Sequence, residues 1–403
     1  MTERLAQLLH EEASGLEVPA PDARAVLAAG RGVRRRRRAT SAVGALALVA
    51  AVGGSVLAVD ALAGGSGTDA VDPATPSDAG PVFSLGTTVY LEGGSEQARI
   101  DDKAIKSLFY TSAGVLVRHG ENQNSDGGGP QRFSLVRPDG SVSPIGVVTE
   151  EAVPGTDPEQ PYLAYASPAA GGSYEVTVHD LRSDDEVASI TLPAAANSDG
   201  AWGVPPVALD GDRVWVGSSP QPYLVDWRAG TATPTDAIDP GIPSVTGGRV
   251  VRADTDEATV VDLASGEELL STPLVNDGDT DSWADLSPDG RYLMVTAEDM
   301  TSPGATGFEV YDVGTGEAVT VEHPPYDVGW TGSGDLFFLT ETDLTTCEAD
   351  TGECTTRPHG IDVPAPTPQR EVCERGATGE ICYFEGGGGW DETLRVGGRT
   401  YES

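Results

Sequence analysis

The chain has 403 residues, and 63 acidic against 25 basic side chains give a net charge of −38 at neutral pH. The imbalance is segregated: residues 1–38 hold eight arginines and five acidic residues, leaving 17 basic and 58 acidic residues, net −41, in the rest. A body that acidic repels nucleic acid and anionic lipid, and so excludes both as its partners; 51 Gly, 29 Pro and few helix-forming runs after the first ~65 residues argue for an all-β, turn-rich fold.

From the N-terminus, Glu3 to Ala13 places Leu5, Leu8 and Leu9 at helical spacing, with Thr2 as a cap. A second short helix is expected after Pro21, capped by Asp22, with Ala25, Val26 and Ala29 on one face and Gly30 at its end. Neither is long enough to be stable alone, so residues 1–30 suit docking on a cytoplasmic regulatory partner or on the membrane surface. The run Arg34, Arg35, Arg36, Arg37, Arg38 abuts an apolar stretch. It reads as a topogenic signal retained on the cytoplasmic side.

Ala42 to Val59 carries no charge, and residues 39–63 contain only Asp60. That length spans a bilayer. Ala61-Leu62-Ala63 also fits a signal-peptide cleavage site, but the long charged leader and long apolar run favour an uncleaved anchor. Residues 64–81, rich in Gly, Pro and acidic residues, read as a flexible linker. The expected topology is single-pass in the cell membrane, N-terminus cytoplasmic, with residues 82–403 forming an extracytoplasmic domain.

That domain repeats. An apolar-Asp turn followed by a short strand recurs at Asp139, Asp180, Asp226, Asp262, Asp312 and Asp350, with steps of 36 to 50 residues. This is the period of four-stranded propeller blades. A second turn lies upstream, as in Leu209-Asp210-Gly211-Asp212, Val245-Thr246-Gly247-Gly248, Leu286-Ser287-Pro288-Asp289-Gly290 and Trp330-Thr331-Gly332-Ser333-Gly334. The segment Trp283 to Val321 reads as one complete blade. With its Ser287-Pro288-Asp289-Gly290 turn ahead of a strand, the chain resembles bacterial TolB-type and WD-repeat-like β-propellers. Six turns mark six blades. The strand-like ends, Val82 to Glu92 with Ile381 to Phe384 and Leu394 to Tyr401, would pair into a seventh and remove exposed edges. Six and eight blades are the alternatives.

Cys347, Cys354, Cys373 and Cys382 all follow the apolar segment, as in an oxidising compartment. Local pairing, Cys347 with Cys354 and Cys373 with Cys382, would staple two hairpins; the spacings fit zinc poorly. Asp277, Asp279, Asp281 and Asp285 resemble a calcium loop, with Ser282 in place of the turn glycine and Pro288 in place of the bidentate Glu. Catalysis has no motif: no G-x-S-x-G elbow occurs, and the His residues are scattered, His179 reading as a strand surface residue. Trp202, Trp215, Trp227, Trp283, Trp330 and Trp390 suit packing between blades.

The expected function is a non-enzymatic binding or sensing module at the bacterial cell envelope, engaging a protein or small ligand with its propeller loops. Two alternatives stand. The layout is similar to that of bacterial transmembrane regulators, including anti-sigma-like proteins, which implies a sigma factor or other cytoplasmic partner on residues 1–30. A propeller hydrolase or lyase would instead bring His or paired carboxylates to the mouth of the channel.

Overall fold

The computed structural model describes residues 79–122, 129–150, 152–192, 203–276, 280–299, 307–363, 370–376, 379–385 and 393–399. The two expected N-terminal helices, the Arg34–Arg38 run, the expected membrane segment and most of the expected linker lie outside these residues. Among the described residues no helix is long and apolar enough to cross a membrane.

The described chain forms seven four-stranded antiparallel sheets, the blades of a propeller. Blade 2 comprises Ala104–Thr111, Gly114–Gly120, Gln131–Val136 and Val142–Thr149. Blade 3 comprises Gly155–Thr156, Tyr162–Pro168, Tyr174–Asp180 and Asp185–Thr191. Blade 4 runs from Val207–Asp210 to Thr231–Pro234, and blade 5 from Val245–Thr246 to Glu268–Pro273. Blade 6 runs from Thr280–Leu286 to Ala318–Val321, and blade 7 from Val328–Trp330 to Cys354–Pro358. In each, the first strand is innermost. Blade 1 is assembled from both chain ends: Leu394–Val396 is its inner strand, followed outward by Phe83–Leu85, Thr88–Leu91 and Glu96–Arg99. Phe83 pairs with Val396 and Leu85 with Leu394, and Leu108 bridges Gly397 in parallel, so inner strands of neighbouring blades run the same way.

The predicted closure is therefore present, with one change. Ile381 to Phe384 does not join blade 1; Gly379–Glu385 pairs with Arg370–Gly376 as a separate two-stranded sheet. The closing strand ends at Val396.

There is no single core. Seven apolar clusters each occupy one interface between adjacent blades, and the cluster of Phe83, Leu85, Phe337, Leu344, Leu394 and Val396 seals the joint between blades 7 and 1. Central strands are thus covered on both faces, which is why Tyr292 to Val295 are buried without alternation. Trp215, Trp227 and Trp330 are buried in these interfaces, as predicted. The outermost strands carry Pro144, Pro234, Pro273 and Pro358, which deny hydrogen-bond donors to a foreign strand.

The recurring Asp turns join third and fourth strands. The Asp312 carboxylate accepts from the N–H groups of Gly314 and Thr315, both 2.8 Å, while Gly316 N–H donates to the Asp312 carbonyl. Gly316 has φ 73°, the left-handed region that closes such a turn. In blade 7 the structurally equivalent pair is Glu348 and Gly352, so Asp350 sits two residues past the matching position. In blade 3 the glycine position is filled by Asp184, φ 59°. Its carboxylate accepts from Gly146 N–H of blade 2 and from His179, each at 2.8 Å, tying two blades together.

Candidate functional site

Strand direction gives the ring two unlike ends. One end carries the turns between first and second strands and between third and fourth strands, and none of these exceeds six residues. The other end carries every longer connection between blade strands: residues 121–130, 192–206, 235–244, 300–307 and 359–393. The chain enters at the turn end, where Gly332 N–H donates to the Ala79 carbonyl (2.9 Å). Short turns follow from the local Asp and Gly chemistry described above, while the loop end is free to vary in length.

The central channel near the turn end is a cavity of about 70 Å³ between inner strands, lined by groups such as Phe109, Thr156, Val207, Val245, Leu286 and Arg399. It holds about two waters and is far below the volume of ordinary small-molecule sites. No His or carboxylate is among its lining residues. Tyr110 O–H donates to the Trp330 carbonyl at 2.9 Å, and Arg399 lies 3.8 Å from the Asp285 carboxylate.

A polar cluster lies at the loop end between blades 1 and 2. Asp102, on the connection entering blade 2, lies 2.6 Å from His119 Nδ1, and His119 Nε2 lies 3.0 Å from Ser134 Oγ. Arg132 clamps Asp102 with two hydrogen bonds of 2.8 Å. Lys103 and Glu121 pair beside it. Burial pushes the Asp102 carboxyl up, but hydrogen bonds from Arg132, His119 and the Lys103 N–H outweigh it and hold the group at about 2. The order Asp, His, Ser is that of a nucleophilic relay. Yet Ser134 and His119 are 5% and 6% exposed, inside the blade interface. The arrangement therefore fixes the entering connection onto blade 2. Spacing along the chain carried no sign of it: His119 faces Arg132 across two strands, with Ser134 on the diagonal.

The other histidines among the described residues are His179, His323 and His359. His179 is buried and bonded to Asp184, so it is not the surface residue that alternation suggested; neighbouring blades cover both faces of its strand. His323 packs edge-on against Phe338, and burial lowers its pKa to about 4. Ile361 N–H donates to His359 Nδ1.

Cys347 and Cys354 form a disulfide across the outer hairpin of blade 7. Cys373 and Cys382 are directly opposite in the separate sheet. Of the predicted calcium ligands, Asp277 and Asp279 lie outside the described residues. Thr280–Leu286 is a strand. Asp281 and Asp285 both lie on this strand, and the Asp285 carboxylate is 3.8 Å from the Arg399 guanidinium. Among the described residues no group of three or more His, Cys, Asp or Glu is placed to hold a metal.

No protein-family model matches the chain, and no curated protein matches it. Among solved structures it is similar to BamB from Moraxella catarrhalis, at 13% identity and TM-score 0.35, covering 76% of this chain and 89% of that one. It is also similar to Hsv2 from Kluyveromyces lactis, at 12% identity and TM-score 0.37, covering 61% and 74%. The fold's own strand order defines the class: a seven-bladed, four-stranded β-propeller closed by one C-terminal strand.

Proposed function

We propose that this protein is a non-enzymatic binding or sensing module of the bacterial cell envelope, anchored by one span with its N-terminus in the cytoplasm. It engages a protein or small ligand through the loop end of its propeller. The observation that carries the reading is the asymmetry of the ring: every long connection is at one end, and the incoming chain occupies the other. A rigid ring with variable loops on one face suits presentation of a binding surface. The Cys347–Cys354 disulfide favours an oxidising, extracytoplasmic location.

The test is capture from native membranes with the full-length protein and with a variant lacking residues 2–30. Recovery of the same envelope partner by both is expected. Recovery of a cytoplasmic protein such as a sigma factor, and only with the intact tail, would move the binding function to residues 1–30 and overturn the reading.

A further inference from the structure

The channel cavity has apolar walls and one charged group. Phe109, Val207, Val245 and Leu286 form its sides, and among the described residues that line it Arg399 alone is charged. Pro158, Ser287 and Pro288, from turns between first and second strands, stand at its rim. The cavity is open to solvent there and not enclosed.

The backbone carries Arg399 into this space. Gly397 is held on both sides: its N–H donates to the Val82 carbonyl at 2.8 Å, and its carbonyl accepts from Trp330 N–H at 3.0 Å. Gly398, at φ 79° and packed against Trp330 and Pro288, then turns the chain out of the line of the closing strand.

The Arg399 side chain is only 9% exposed. Its nearest acceptors are the Met294 sulfur at 3.6 Å and the Asp285 carboxylate at 3.8 Å. A thioether is a weak acceptor, and 3.8 Å exceeds hydrogen-bond length, so Asp285 offsets part of the charge without accepting from the guanidinium. The other hydroxyls on the walls divide into two sets. Those of Tyr110, Thr246 and Ser287 donate to the Trp330 carbonyl, the Pro288 carbonyl and the Asp289 carboxylate. Those of Thr156 and Ser244 have no hydrogen-bond partner among the described residues. A buried guanidinium and two open hydroxyls therefore face a cavity of about 70 Å³ whose remaining walls are apolar.

We infer that this cavity binds a short-chain monocarboxylate, of the size of acetate or propionate. The planar guanidinium matches a carboxylate, and the open hydroxyls add donors. The alkyl end lies against the valine and leucine walls. Asp285 beside Arg399 disfavours a dianion such as phosphate. The site lies in the channel, so it stands or falls apart from the binding role given to the loop end.

The experiment is saturation-transfer NMR on the full-length protein in detergent, titrated with sodium propionate at ionic strength held constant with sodium chloride. Saturable transfer to the propionate methyl protons is expected, with half-saturation at roughly millimolar concentration for so small a ligand. Acetate should displace propionate, and phosphate at equal concentration should not. Arg399→Gln should raise the half-saturation concentration roughly tenfold or more. Its unfolding midpoint without ligand checks that the ring is intact. Should that variant not fold, the isosteric Thr156→Val decides, with a rise of roughly threefold or more expected. No saturable transfer in the wild type, displacement by phosphate as effective as by acetate, or a half-saturation that the deciding variant leaves unchanged overturns the inference.

Discussion

The carboxylate of Asp102 lies 2.6 Å from Nδ1 of His119 and takes two 2.8 Å hydrogen bonds from Arg132, so one acidic residue on an inter-blade connection is held by two strands of the next blade. Its pKa is about 2 in the folded protein, below the ordinary carboxylate value. A depressed folded pKa stabilises the fold above the ordinary pKa, and that contribution is lost as pH falls from about 4 to about 2. Asp102→Ala should cost about 2–3 kcal/mol at neutral pH, because it leaves buried His119 without its partner. Urea unfolding at pH 7, 4 and 2.5 checks both points: the variant should lose less stability across the acid range than the wild type.

Ring closure rests on a short strand. Val396 is buried against blade 7, and Gly398, at φ 79°, leaves no room for a side chain: a Cβ would stand 2.7 Å from that of Trp330. Val396→Asp should cost about 3 kcal/mol or more, and Gly398→Ala about 1–2 kcal/mol or more. Val187→Asp, on the exposed outer strand of blade 3, should stay within about 0.5 kcal/mol. Chemical unfolding of the three variants gives the comparison.

The repeat was legible because its signal is local. An Asp that bonds its own turn and a Gly at positive φ mark most of these hairpins, and leftover strands at both ends pointed to a shared blade. The side-chain clusters were not legible. His119, Ser134 and Asp102 meet only once two strands are in register and a connection folds over them. Lys106 and Gln131 look like surface residues until blade 3 covers them. His179 was misjudged for the same reason, since alternation cannot show that both sides of a strand are covered.

The disulfide closes a loop seven residues apart in sequence. In the chain-entropy account that contributes about 2–3 kcal/mol. Cys347→Ala with Cys354→Ala, or reduction of the native protein, should lower stability by about this amount without loss of the β-sheet signal. Denaturant midpoints with and without reductant measure it.

The two lysines should differ sharply in reactivity. Lys103 is exposed and paired with Glu121, whereas Lys106 is fully buried. Acetylation of the folded protein, read by peptide mass spectrometry, should label Lys103 and spare Lys106. Both should label in denaturant, because access and not chemistry separates them.

The central claim is that the loop end is the binding face. Site-specific photo-crosslinkers placed in intact cells at Glu121 and Glu322, on the loop end, and at Asp212 and Ser265, on the turn end, test it directly; all four positions are exposed. Discrete crosslinked partners from the loop-end positions alone are predicted. Crosslinks confined to the turn-end positions, or equal at both ends, would contradict the account.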